Sequence, residues 1–90
     1  MPIHVSPDGP LTAGSTANIS ITEGEANGTI TVVIDNGLGA EKSVTITLDD
    51  QGAGNADWPV PTNWTTANFN ASGMTQVTRS IQSGGAEAGM

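Results

Sequence analysis

Apolar and polar residues alternate one for one, again and again, along this chain. A strand points successive side chains to opposite faces, so alternation of this kind makes one dry face and one wet face. Residues 16–22 put Ala17, Ile19 and Ile21 on one side. Residues 29–35 do the same with Ile30, Val32 and Ile34, and 42–48 with Val44, Ile46 and Leu48. Residues 54–60 carry Ala56, Trp58 and Val60; 65–71 carry Ala67, Phe69 and Ala71; 75–82 carry Val77, Arg79 and Ile81. No stretch repeats apolar residues at helical spacing, and the frequent Thr and Gly disfavour helix interiors.

Turn chemistry separates these stretches. Asn27-Gly28, Asp35-Asn36-Gly37-Leu38-Gly39 and Asp49-Asp50-Gln51-Gly52 each supply residues that tolerate tight turns. Pro59 lacks an N–H, so it is expected outward, at an edge or a bulge. Val33 breaks the alternation of its strand, which suggests cover on both faces. Short strands at regular spacing with turns between them predict an all-β fold, an antiparallel β-sandwich of six or seven strands. The expected core is Ala17, Ile19, Ile21, Ile30, Val32, Ile34, Val44, Ile46, Leu48, Trp58, Val60, Phe69, Val77 and Ile81. Leu, Ile, Val and Phe are only 17 of the 90 residues, close to the roughly 20% below which highly charged chains stay unfolded. Ordered placement of those residues is what favours folding.

Three segments are expected. Residues 1–10 hold three prolines and read as a loose arm, with at most an edge strand around Ile3 to Val5. Residues 11–82 form the sandwich. Residues 83–90 are small and polar and read as a flexible tail. The start lacks the basic and apolar regions of an export signal.

Charge narrows the partners. Nine acidic and two basic side chains leave a formal net charge of -7. Two cations cannot neutralise a phosphate backbone, so nucleic acid is not an expected partner. The longest apolar run is Val32-Val33-Ile34, so no membrane span is expected. Without cysteine there is no thiolate metal site and no thiol nucleophile. No cofactor is expected.

The run Leu11-Thr12-Ala13-Gly14-Ser15-Thr16, followed by an alternating strand, resembles the opening of bacterial immunoglobulin-like domains of the Big type. The run Val44-Thr45-Ile46-Thr47-Leu48-Asp49-Asp50-Gln51-Gly52-Ala53-Gly54, followed by a strand and Val60-Pro61, is similar to the middle hairpin of that family. The resemblance covers about residues 5–82 and implies an immunoglobulin-like sandwich used for adhesion, spacing or attachment. The chain departs from the pattern in having no tyrosine near Phe69, so it has no tyrosine corner.

Few residues suggest chemistry. Asp49, Asp50 and Asp57, around Gly52 and Gly54, are a weak calcium candidate, since calcium takes six to eight oxygens on a bent backbone. The spacing is not that of an EF-hand, and a hairpin turn with solvated carboxylates explains it as well. His4 is the only histidine and lies in the arm without partners for acid–base work. Trp58 falls on the core face. Trp64 falls in the loop after Pro61, where it plugs the sandwich end or stacks on a sugar or a partner protein. Arg79 lies on the inner face, where a cation needs a paired carboxylate; a rim ion pair, an outward bulge and an intersubunit pair remain open. Four Asn-x-Ser/Thr acceptors begin at Asn18, Asn27, Asn63 and Asn70, as a polar sheet surface or a glycosylated domain would have.

The expected function is a non-enzymatic structural or interaction module. Its leading form is an accessory surface protein of a large assembly, such as a phage capsid decoration or head-fibre protein. The alternative is an extracellular adhesion or carbohydrate-binding domain. A protein partner is expected, either a shell or filament protein or copies of itself as a homo-oligomer. Location is then a virion surface or a cell exterior. Ile3, Val5, Trp64 and Arg79 are the interaction candidates, with the arm adding a strand to a neighbour's sheet.

Overall fold

A computed structural model describes residues 3–71 and 76–84. Among them there is no helix, and eight strands form two sheets. In order they are β1 (Ile3–Ser6), β2 (Leu11–Thr12), β3 (Thr16–Ile21), β4 (Thr29–Asp35), β5 (Glu41–Thr47), β6 (Gly54–Pro59), β7 (Thr66–Asn70) and β8 (Val77–Gln82). One sheet runs β1-β3-β6 and the other β2-β8-β7-β4-β5. All pairings are antiparallel except β2 with β8, which is parallel, with Leu11 opposite Ile81. The expected count of six or seven, all antiparallel, is corrected on both points. The additional strand, β2, has two residues, too few for alternation to register.

The strands from β3 to β8 begin and end within a residue or two of the alternating stretches, because one buried face fixes their register. Both sheets turn apolar side chains to one shared core. Ala17, Ile19 and Ile21 of β3, Val32 and Ile34 of β4, and Phe69 of β7 are almost fully buried there. Trp58 packs edge-on against Phe69, with ring centroids 5.4 Å apart. Ile30, Val44 and Val77, expected in the core, are only partly buried against it. Pro59 is the exposed last residue of β6, an edge strand. Val33 is half-buried on the polar side, opposite Ser43 and Asn70 in register. Among the described residues its in-register neighbours there are polar rather than a second apolar layer.

The N-terminal segment holds the edge strand allowed for around Ile3 to Val5 and is better anchored than a loose arm. Ile3–Ser6 is paired along its length with β3, Ile3 opposite Ile21 and Val5 opposite Ile19. Val5 and Leu11 are fully buried. The prolines stand outside the paired stretch, so β1 keeps its donors. Burying a valine fully is worth about 1.5–3 kcal/mol, which holds β1 against its own core. Of the expected tail, residues 85–90 lie outside the described residues, as do Gly73, Thr75 and Ser72.

Backbone bonds lock one end of the molecule. Gly24 donates to Gly52 O at 2.8 Å, Asn27 to Asp49 O at 2.8 Å, and Leu48 to Gly28 O at 2.8 Å. The β3–β4 loop is thereby clamped to the β5–β6 turn. Gly52 has φ +76, and a Cβ there would run into the Gly24 carbonyl oxygen.

Candidate functional site

The loop between β4 and β5 carries the one large apolar side chain that the described residues leave in water. Leu38 is 84% exposed. Its loop is tightly built from polar groups. Asn36 Oδ1 accepts from Leu38 N at 2.8 Å and Ala40 N at 3.0 Å. Asn36 N donates to Ala40 O at 3.1 Å. Asp35 Oδ1 accepts from Gly37 N at 2.9 Å. Gly37 and Gly39 have φ +75 and +104, a region costly to other residues. The side chains of Asp35 and Asn36 therefore hold the backbone in one shape before any contact is made.

Asp35 also ties the loop to the sheet. Its carboxylate accepts from Asn68 Nδ2 at 2.9 Å and Asn70 Nδ2 at 3.2 Å. Asn68 Oδ1 in turn accepts from Thr78 Oγ1 at 2.8 Å. The outward face of β4, β7 and β8 is thus a connected polar network with Leu38 standing at its end. Sequence reasoning placed this turn but passed over Leu38. The signal was a leucine between two glycines in a turn, where no core is in reach.

The sequence candidates are dispersed. Trp64 is 6% exposed and packs on Trp58 with centroids 5.9 Å apart. It fills the core instead of facing solvent, and offers no face to a sugar. Val5 is buried and Ile3 packs partly against the core, so their side chains are largely committed while β1 remains an edge strand. Arg79 reaches from β8 to β1, where Nη2 donates to Val5 O at 3.2 Å. Asp8 Oδ1 lies 4.0 Å from Arg79 Nη2 and 3.4 Å from His4 Nε2. Asp8 is largely exposed, so these contacts add little. The guanidinium caps a carbonyl of an edge strand within its own chain. The side chain makes that contact without an outward bulge in β8.

The calcium candidate is taken apart by the fold. Asp49 Oδ1 accepts from Gln51 N at 2.8 Å and Ala53 N at 2.9 Å. These donors, Ala53 first, hold the Asp49 carboxyl below its ordinary pKa. Asp57 instead takes a hydrogen bond from Asn18 Nδ2 at 3.1 Å on β3. Among the described residues no three acidic or histidine side chains gather as metal ligands. Asn18 and Asn70 spend their amides on neighbours, whereas Asn27 and Asn63 are exposed. No family model, curated protein or solved structure matches this chain.

Proposed function

We propose that this chain is an immunoglobulin-like β-sandwich of the bacterial type and a non-enzymatic accessory protein on the surface of a large assembly, such as a phage capsid decoration or head-fibre protein. The strand order supports the sandwich reading: three strands pair in one sheet, the hairpin-rich remainder in the other, and the N-terminal strands divide between them. One observation carries the functional reading. Leu38 stands in water on a loop already fixed in shape, so binding it costs little ordering entropy. A buried leucine contributes about 1.5–3 kcal/mol. That is weak for one copy and sufficient when many copies, or several contacts, act together.

The partner is a shell or filament protein that offers an apolar socket with basic residues at its rim. The net charge of -7 favours such a rim and keeps crowded copies apart. The carbohydrate alternative depended on an exposed Trp64; with that ring in the core, no observation favours it. The N-terminal segment is not loose, because β1 is paired with β3; strand addition to a neighbour would use the outer side of β1, an edge of its sheet.

Density-gradient separation of the native source, with this chain quantified in every fraction, tests the reading. Cosedimentation with large particles at a fixed ratio to a major shell protein is expected. Leu38→Ser should lower that occupancy without changing the fold. A chain that stays with small soluble proteins overturns the assembly reading; full occupancy by the variant removes Leu38 as its anchor.

A further inference from the structure

Two Asn-Gly pairs occur in this chain, Asn27-Gly28 and Asn36-Gly37. Such pairs share a reaction. The backbone nitrogen of the glycine attacks Cγ of the asparagine, with no Cβ on the glycine to hinder it. A bond from that nitrogen to Cγ forms, the bond from Cγ to Nδ2 breaks, and ammonia leaves with the proton lost by the glycine nitrogen. Solvent water then opens the cyclic imide at either carbonyl, giving aspartate or isoaspartate. The reaction needs a free side chain and a glycine nitrogen released from its hydrogen bond.

The fold treats the two pairs differently. Asn36 is held three ways: its Oδ1 accepts from Leu38 N and Ala40 N, and its own N–H donates to Ala40 O. Gly37 N is bound to the Asp35 carboxylate at 2.9 Å. The Asn27 side chain is exposed, and no partner among the described residues holds its amide. Only the bond from Gly28 N to Glu25 O, at 3.0 Å, must open there. Asn27 also sits at φ +60, a conformation an L residue keeps at some cost.

We infer that Asn27 is a site of spontaneous covalent modification, converting to aspartate and isoaspartate in the folded protein while Asn36 is protected. Aspartate adds a negative charge beside Glu25. Isoaspartate adds a backbone methylene between the bonds from Asn27 N to Asp49 O and from Leu48 N to Gly28 O, so it opens the clamp.

The test incubates the native chain at mildly alkaline pH and locates the mass gain of about 1 Da, the replacement of NH2 by OH, by fragment-ion mass spectrometry. Conversion at Asn27 well ahead of Asn36 is expected. In urea the two should convert at similar rates. Asn27→Gly, which suits a positive φ, should leave the native chain unchanged over the same period. Conversion of Asn36 first, conversion at neither residue, or the same ratio in urea as in native buffer each overturns the inference.

Discussion

Residues 36–40 and 49–53 form the same five-residue loop in different surroundings. In each, the first side chain accepts from the backbone two and four residues on: Asn36 from Leu38 and Ala40, Asp49 from Gln51 and Ala53. In each, the first N–H donates to the fifth carbonyl, and the fourth residue is a glycine at positive φ. The Asp49 loop lies against Gly24 and is part of the clamp. The Asn36 loop has open space at Gly39 and shows Leu38 to solvent. Loop conformation is therefore set locally by an Asx residue and a glycine. What the loop does is set by what stands behind it.

The comparison is most easily broken at the glycines. Gly52→Ala combines positive φ with a collision against backbone, and should cost about 3 kcal/mol or more, read as a fall in the urea midpoint. Gly39→Ala meets nothing and bears only the conformational term, about 1 kcal/mol. Equal losses at both positions would show that the clamp adds nothing to the glycine requirement.

The first residue of each loop sharpens the comparison through pH. Backbone donors lower the folded pKa of Asp49, so its contribution is present above the unfolded pKa and is lost as pH falls through the folded one. Asp49→Asn keeps the accepting oxygen, as Asn36 does, and removes the titration. Its acid unfolding curve should be shallower than that of the parent chain, with a modest loss of stability at neutral pH and little difference from the parent in acid. The smallest effect belongs to Leu38→Ser, which should alter stability by no more than about 0.5 kcal/mol in thermal unfolding.

The strands were legible because a single buried face writes itself into the sequence with a period of two. Ile19 and Ile21, or Val32 and Ile34, can occupy no other face without exposing the whole set. Turns were legible from Asx and glycine residues. Three features were not. β1 and β2 lie among prolines, and pairing partners distant in sequence, Ile19 and Ile81, decide their burial. Trp64 has no alternating neighbours, and its packing on Trp58 is what explains its place. Arg79 reads as a cation misplaced on an inner face, yet its reach to the Val5 carbonyl depends on a strand whose existence the sequence left open. Leu38 lay within a turn already identified, and its exposure follows from the turn's separation from any core.

The pairing of Leu11 with Ile81 joins two segments from opposite ends of the described chain. Loop closure over that separation comes late, because most of the ordering entropy must be lost before the contact forms. During synthesis the N-terminal strands leave the ribosome first, yet Leu11 has no neighbour strand until β8 has emerged. The earlier hairpin of β4 and β5 can form alone. A nascent chain stalled before residue 77 would thus leave Leu11 without its pairing strand and open to chaperones, since β8 is the last of the described strands to emerge.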